Sequence, residues 1–249
     1  MPSIAQLTSL LLAASGALAL PSGLKARAGP SPGTVITSCT EPGTIALTFD
    51  DGPYTYMSTI LDALAQANAS ATFFVTGTLY DCIYNNADTL KAAYDAGHQI
   101  ASHTWTHADL ATLSESDINN EMAQLETAFA NILGVKPTYM RPPNGSTGGS
   151  ATTALGALGY RLVTWDIDSQ DWNGADAGTS QGYFEQAGTS ASHIALMHET
   201  IQSTAEQLVP WVLEWATTNG LKMVTVAECV GDAGGEYTDP AASDGSTTC

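Results

Sequence analysis

The sequence predicts an α/β fold, a distorted or incomplete (β/α)7–8 barrel in a single domain. The chain has 249 residues, enough for one large domain with a sizeable core. Apolar runs typical of buried strands alternate with amphipathic patterns typical of helices, and this alternation indicates a parallel sheet covered by helices. About seven strands favour a barrel, with an open doubly wound sheet as the alternative.

The strands are predicted from short runs rich in apolar and β-branched residues. The first, Thr44–Asp50, is almost continuously apolar, as expected for a strand that is buried on both faces. The remaining strands are predicted at Ala71–Thr76, Gln99–Ser102, Thr138–Met140, Tyr160–Trp165, His193–Met197 and Lys222–Val226.

Helical patterns fill most of the intervals between the strands. After Asp117, the residues Ile118, Met122, Leu125 and Phe129 recur at spacings of three and four, which places them on one helix face. The predicted helices span Met57–Asn68, Ala87–Ala96, Asp117–Leu133, Ala151–Leu158 and Ala205–Asn219, and a glycine follows four of them, as at many helix ends.

The two ends of the chain differ in composition from this core. Residues 1–19 contain an apolar run that is too short to span a bilayer, and they are predicted to be a secretory signal peptide. Residues 20–38, rich in Pro, Gly and Ser, are predicted to be a pro-segment or linker before a domain at 39–230. Residues 231–249 are expected to be a loose tail, held only if Cys249 is bridged, and they lack a lipid-anchor signal. We therefore expect a protein that is secreted, extracellular or in the cell wall, without a membrane anchor.

Four cysteines fit an oxidising compartment and permit three pairings. Cys39 precedes the first predicted core strand and Cys229 follows the last, so a bridge between them would join the ends of the domain. Cys82 and Cys249 would then pair by exclusion. None of the four has the spacing of a zinc–cysteine site.

The chain is strongly acidic, with a formal net charge of −18. Such a surface repels nucleic acid and anionic wall polymers, tolerates neutral polymers, and makes a nucleic-acid partner unexpected. Acidity that serves extracellular solubility alone is an equally good interpretation. Asn68 and Asn144 begin glycosylation sequons, although a glycan on Asn144 would block the predicted site.

Two clusters of metal-binding side chains carry the chemistry. Asp50 and Asp51 end the first strand, where successive side chains point to opposite sides and two carboxylates can take different roles. His103 and His107 have the spacing that places both imidazoles on one face of a helical turn. Two imidazoles and one carboxylate are typical of a catalytic divalent cation with an open coordination position. With a further carboxylate as base, the clusters predict metal-assisted hydrolysis.

Other polar residues fall at the carboxyl ends of predicted strands, where barrels and open sheets bind their ligands. The residues expected at this end are Asp50, His103, Arg141, Asp166 and His198. His98 and His193 stand at strand starts, at the opposite end of the sheet, and are interpreted as structural.

Five motifs follow one another in chain order. They are Thr48-Phe49-Asp50-Asp51-Gly52-Pro53, His103-Thr104-Trp105-Thr106-His107, Arg141-Pro142-Pro143-Asn144-Gly145, Asp168-Ser169-Gln170-Asp171-Trp172 and Leu196-Met197-His198. In this order they resemble the motifs of the polysaccharide deacetylases, carbohydrate esterase family 4 with the NodB-homology domain. Within that family the chain is most similar to secreted fungal chitin deacetylases, over roughly residues 40–230, so the domain at 39–230 is expected to be catalytic.

The resemblance implies a role for each motif residue. Asp51, His103 and His107 correspond to the ligands of one divalent cation that acts as a Lewis acid and activates water. Asp50 corresponds to the general base, and Arg141 to the arginine that holds this carboxylate in place.

The later motifs correspond to the proton donor and the walls of the site. His198 matches the general acid, and Asp171 the carboxylate that orients this imidazole and raises its pKa. The backbone N–H of Asn144, where many family members carry Tyr, would stabilise the oxyanion. Trp172 and Leu196 correspond to the walls around the acetyl methyl group.

The implied activity is metal-dependent hydrolytic N-deacetylation of chitin or N-acetylglucosamine oligomers by a monomer, which releases acetate. Zn²⁺ is the favoured cation, and Co²⁺ or Mn²⁺ can substitute. Acetylxylan esterase and peptidoglycan deacetylase are alternatives because the mechanism addresses only the acyl group. A non-catalytic wall carbohydrate-binding protein is a further alternative. Tyr54, after the Gly52–Pro53 turn, is a candidate to line a sugar groove, with burial of its ring as the other interpretation.

Overall fold

A parallel sheet forms the centre of the molecule. The computed structural model describes residues 29–249, so the predicted signal peptide and residues 20–28 lie outside the described residues. Within the described part, nine strands pair in parallel in the order β1-β7-β6-β4-β3-β2-β9-β8, with β10 beside β2. The strands are β1 (Val35–Ile36), β2 (Thr44–Asp50), β3 (Thr72–Val75), β4 (Gln99–Ser102), β6 (Tyr139–Met140), β7 (Arg161–Val163), β8 (Ile167–Asp168), β9 (His193–His198) and β10 (Lys222–Val224), while β5 (Lys136–Pro137) and β11 (Tyr237–Thr238) form a separate antiparallel pair.

The sheet curls into a half-barrel, and a short connection explains why. β7 and β8 lie near opposite ends of the strand order, yet only residues 164–166 join them. Because so short a link spans only about 10–14 Å, the two ends of the sheet must approach each other. The prediction of a distorted or incomplete barrel in a single domain is confirmed.

The side chains of strand β2 alternate between the two faces of the sheet. All seven of its residues are buried. Ile45, Leu47 and Phe49 belong to the large apolar cluster between the sheet and the helices, where Phe49 stacks on a neighbouring phenylalanine with ring centroids 5.2 Å apart. The alternate residues, including Thr48 and Asp50, therefore point into the barrel, as the two-residue period of a strand requires.

Seven α-helices cover the described sheet. They are α1 (Met57–Ala67), α2 (Ala87–Asp95), α3 (Glu115–Ile132), α4 (Ala151–Ala157), α5 (Ala177–Ala187), α6 (Val209–Thr218) and α7 (Val226–Cys229). α3 begins two residues before its predicted start because Ser114 caps it and accepts a hydrogen bond from the Asp117 N–H at 3.3 Å. α5 was not predicted. It buries only Ala177, Ser180 and Phe184, which is too narrow an apolar stripe for the periodicity to detect.

The expectation that Asp166 lies at the carboxyl end of a strand is wrong. The strand predicted at Tyr160–Trp165 ends at Val163. Asp166 instead lies at the start of β9, where its Oδ2 is 2.7 Å from His193 Nδ1 and its Oδ1 accepts the Ile194 N–H. This pair lies at the opposite end of the sheet from the candidate site.

The C-terminal segment is tied to the domain. Disulfides join Cys39 to Cys229 and Cys82 to Cys249. The bridge at Cys249 holds the C-terminal segment, as was expected if this cysteine is paired. The segment also carries β11, which was not predicted, and the Tyr237 hydroxyl accepts a hydrogen bond from the Ile100 N–H at 2.8 Å. No helix in the described part of the chain is long and apolar enough to cross a membrane.

Candidate active site

A cavity of about 290 Å³ opens where strands β2, β4 and β9 end. It is lined by Asp50, Asp51, His103, His107, Asn144, Gly145, Trp165, Trp172, Leu196 and His198. The strand register explains part of this assembly, because parallel pairing sets Asp50 directly beside His198 on neighbouring strands. A larger groove of about 670 Å³ lies between α1 and α6, but carboxylates are its only charged groups and it holds no imidazole.

Asp51, His103 and His107 form a candidate metal site. Asp51 Oδ1 lies 3.5 Å from His103 Nε2 and 3.4 Å from His107 Nε2, and no hydrogen bond satisfies this buried oxygen. Tetrahedral ligands at zinc bond lengths are about 3.3 Å apart. This is the only group of three such side chains in the described part of the chain with ligand atoms within 4.8 Å of one another.

The protonation state of His103 suits a ligand. Its Nδ1 is 2.6 Å from the carbonyl oxygen of Arg141, and because a carbonyl only accepts, Nδ1 carries the hydrogen. Burial lowers the pKa of this imidazole despite the neighbouring charges of Asp50 and Asp51. The ring is therefore neutral, and its Nε2 lone pair faces Asp51.

The expected helical turn between the two histidines is wrong, because a loop brings them together. Thr104 and His107 both have left-handed backbone angles, with φ of 70° and 61°. Such values are uncommon outside glycine and unusual for a β-branched residue such as threonine. Glu121 of α3 holds the loop by accepting the Thr106 N–H and the Thr106 hydroxyl, each at 2.8 Å.

Asp50 is held inside the barrel by Arg141, which is fully buried. Arg141 Nη1 lies 2.6 Å from Asp50 Oδ1 and donates a second hydrogen bond to the Thr48 hydroxyl at 2.8 Å. The guanidinium also lies 4.3 Å above the ring of Phe74. One Asp50 oxygen is thereby fixed, and the other lies 3.7 Å from His103 Nε2, beside the candidate metal site.

His198 is paired with the buried carboxylate of Asp171. His198 Nδ1 lies 2.8 Å from Asp171 Oδ1, while Asp171 Oδ2 accepts hydrogen bonds from the His198 N–H and the Thr204 hydroxyl. Burial alone would lower the pKa of His198, but the hydrogen bond and charge of Asp171, with smaller effects of Asp50 and Asp51, raise it to about 9. The imidazole therefore carries a proton at neutral pH, and its Nε2 is free to donate it.

The remaining predicted residues occupy different places around the cavity. Asn144 lines it with a left-handed φ of 58°, a conformation that asparagine tolerates better than most residues. Leu196 is buried in the wall, and Trp172 is 56% exposed at the rim, where its Nε1 donates to Asp168 at 3.2 Å. Tyr54 lies outside the cavity lining.

Sequence reasoning missed two residues near the site, Trp165 and Glu199. Trp165 lines the cavity, as does Gly145, which the third motif includes without a role. Glu199 is buried, and its Oε1 accepts the Tyr54 N–H at 2.5 Å while Oε2 has no hydrogen-bond partner. Burial raises the pKa of Glu199 to about 8. Its position directly after His198 was the only signal in the sequence.

The fold and the site together define a class of protein. A buried carboxylate and a protonated imidazole line one cavity together with a candidate cation site, as expected of a hydrolase. The sequence matches the polysaccharide deacetylase family over residues 37–163. The chain belongs to the polysaccharide deacetylase family.

Individual relatives agree with this assignment. The chain is 44% identical to a chitin deacetylase of Pestalotiopsis sp over 207 residues, covering 82% of this chain and 70% of the relative. It is 33% identical to a peptidoglycan-N-acetylglucosamine deacetylase of Listeria monocytogenes, covering 76% of this chain but only 39% of that protein. The solved chitin deacetylase of Colletotrichum lindemuthianum superposes with a TM-score of 0.80 at 36% identity, covering 85% of this chain and 98% of the other.

Proposed function

We propose that this protein removes N-acetyl groups from chitin or chitooligosaccharides by hydrolysis, leaving glucosamine units and acetate. The observation that carries the proposal is the meeting of Asp50, His198 and the Asp51–His103–His107 triad around one cavity. The similarity to chitin deacetylases of two fungi supports this choice of substrate.

Asp51, His103 and His107 would hold one divalent cation. The unpartnered Asp51 oxygen and the neutral His103 ring both suit it, and two imidazoles with one carboxylate favour Zn²⁺, with Co²⁺ or Mn²⁺ able to substitute. When bound, the ion supplies Lewis-acid polarisation of the acetyl carbonyl and activation of water.

Asp50 is proposed to be the general base. Its second oxygen faces the candidate metal site, while Arg141 fixes the first, so the carboxylate can take a proton from the attacking water without reorienting. The water oxygen forms the new bond to the acetyl carbon, and the carbonyl oxygen becomes an oxyanion. The C–N bond of the amide then breaks as the carbonyl re-forms.

His198 is proposed to be the general acid. An amide nitrogen leaves poorly without a proton, and the protonated His198 can donate one from Nε2 while Asp171 keeps the ring oriented. Acetate and a free amine are the products.

The cavity walls would bind the acetyl group. The Asn144 backbone N–H is proposed to stabilise the oxyanion, and Leu196 with the face of Trp172 to contact the methyl group. Tyr54 is proposed to contact sugar, although outside the acetyl cavity.

The cellular setting is also a proposal. Two disulfides fit an oxidising compartment, and we propose that the protein is secreted, extracellular or in the cell wall, as a monomer. Asn68 is exposed at the end of α1 and is the expected glycosylation site, whereas Asn144 is expected to stay unmodified because it lines the cavity.

Peptidoglycan is the second candidate substrate, because relatives named for it also match. Wall peptidoglycan is anionic, and the net charge of −18 disfavours its approach. Acetyl-xylan and a non-catalytic wall-binding role remain alternatives without a specific observation in their favour.

We expect acetate release from N-acetylglucosamine oligomers, with little from acetyl-xylan or peptidoglycan. A chelator should abolish the release, and added Zn²⁺ or Co²⁺ should restore it. The measurement is enzymatic detection of acetate across the panel, with the D50N protein from the same preparation as control for contaminating activity. Release from acetyl-xylan alone would refute the proposed substrate, and release unaffected by prolonged chelation would refute the cation.

A further inference from the structure

We propose that Tyr54, Leu79 and Tyr80 form an aromatic platform on which a neighbouring sugar unit of the bound oligomer stacks. The proposal rests on the proposed function and names a second contact for the same substrate. No role for Leu79 or Tyr80 follows from the family motifs in this sequence.

The platform residues are unusually exposed for apolar side chains. Tyr54, Leu79 and Tyr80 are 36%, 39% and 52% exposed, and they make up half of the six large hydrophobic residues exposed in the described part of the chain. The two tyrosine rings lie 5.4 Å apart. Grouped exposed apolar side chains mark binding surfaces more often than scattered ones do.

Backbone hydrogen bonds place the loop that carries Leu79 and Tyr80, here called the platform loop, beside the candidate metal site. The Thr76 N–H donates to the Gly52 carbonyl at 2.7 Å, one residue after the ligand Asp51. The Gly77 N–H donates to the Trp105 carbonyl at 2.9 Å, between the two ligand histidines. The first residues of the platform loop are therefore hydrogen-bonded to both segments that carry the proposed metal ligands.

The platform loop is fixed before any ligand arrives. Cys82 is bonded to Cys249, and the Asp81 carboxylate accepts hydrogen bonds from the Cys82 N–H and the Asn85 amide, each at 2.8 Å. A fixed backbone that presents exposed rings lowers the entropy that binding must overcome.

The size and chemistry of the platform favour a sugar as its occupant. Three side chains are too few for a stable protein interface, which buries about 800 Å² on each partner. A pyranose presents an apolar C–H face to a ring and hydroxyls to the tyrosine oxygens, and a neutral sugar is not repelled by the acidic chain. Because the cavity takes the acetyl group of one unit, the platform would take another unit of the same oligomer.

The test compares oligomers of different lengths. In Y80A, we expect the KM for the N-acetylglucosamine hexamer to rise roughly 2- to 10-fold, with kcat nearly unchanged and little effect on the shortest oligomer that is turned over. Y80F keeps the ring and loses only the hydroxyl, so its KM should rise less than that of Y80A. V35A, a 39% exposed position on β1, is the surface control.

Calorimetric titration of the hexamer into the wild type and Y80A provides a readout that does not require turnover. Equal affinities for the two proteins, or a loss of the same size at every oligomer length, would overturn the platform. Failure of the wild type to release acetate from any oligomer would instead refute the proposed function.

A separate observation concerns α3, and we infer that Glu121 is a positioning residue for the cation site. Its side chain is buried, and both oxygens are used on Thr106, which precedes the ligand His107. The flanking Thr104 and His107 hold unfavourable left-handed angles that persist only where surrounding contacts impose them. Glu121 supplies two such contacts, so it sets where His107 lies relative to His103. This inference also rests on the proposed cation.

Zn²⁺ titration of the metal-free protein tests the role of Glu121. E121A should bind Zn²⁺ about 10- to 100-fold more weakly, the usual effect of losing a partner that orients a ligand segment. E121Q should lose less, because its amide oxygen can still accept one of the two Thr106 hydrogens. The H103A protein, which lacks one proposed ligand, gives the Zn²⁺ affinity expected when the site itself is broken.

Glu126 offers a matched control on the same helix. Its carboxylate contacts Lys136 and Tyr160 instead of the histidine loop, at 2.9 and 2.8 Å. E126A should unfold at a lower temperature yet keep the wild-type Kd for Zn²⁺. Wild-type affinity in E121A, or equal weakening in E126A, would contradict the inference. If E121A does not fold, wild-type affinity in E121Q contradicts it as well.

Discussion

Replacement of Asp50 by asparagine is expected to slow acetate release by at least about 10²-fold while the cation stays bound, since a general base contributes about this much to a rate. An asparagine oxygen can still accept the hydrogen bond from Arg141, so the side chain keeps its place. It cannot take a proton from water. Initial rates and metal content, measured on the same samples, give the result.

The D51N protein is the matched control for this experiment. Asp51 is the neighbouring carboxylate of the candidate metal triad, so its loss should lower metal content together with the rate. A D50N protein that turns over near the wild-type rate would show that Asp50 is not the base. Loss of metal from D50N would make it part of the cation site instead.

The second large effect is expected from the D171N substitution, which should slow the reaction by about 10²-fold or more and move its alkaline limit to lower pH. In the native protein, a rate that needs protonated His198 should fall as pH rises through a value at or below about 9, since a bound cation would offset the contributions of Asp50 and Asp51. Without the Asp171 charge, burial lowers the pKa of His198, so the proton is lost earlier.

The pH profile of kcat distinguishes this role from a merely structural one. A slower enzyme with an unchanged alkaline limb would mean that Asp171 only supports the fold, for instance through its hydrogen bond from Thr204. H198N serves as the control, because its remaining activity should lack the alkaline limb altogether.

The half-barrel was predictable because its signal is repeated along the chain. Strand Thr44–Asp50 is apolar at almost every position, and such continuous runs occur where both faces of a strand are buried. The carboxyl-end rule then placed Asp50, His103 and His198 together, and the structure brings them to one cavity. Their catalytic roles remain predictions.

What the sequence could not provide depends on contacts between distant segments. The loop that carries His103 and His107 has its shape imposed by Glu121 of α3 and by the carbonyl of Arg141, neither of which a local spacing rule includes. The position of Asp166 was predicted wrongly for a related reason. The strand before it ends early, at Val163, and the chain then passes to the start of β9.

Arg141 has a consequence that reaches beyond Asp50. The same guanidinium donates to the carbonyls of Val163 and Thr164, at the start of the link that brings β7 to β8. One side chain thus holds both the proposed general base and the link that brings the two ends of the sheet together. A change of Asp50 to asparagine keeps an acceptor for Arg141 and would end catalysis with the fold retained, whereas loss of the Arg141 guanidinium would disturb both the base and the link between β7 and β8.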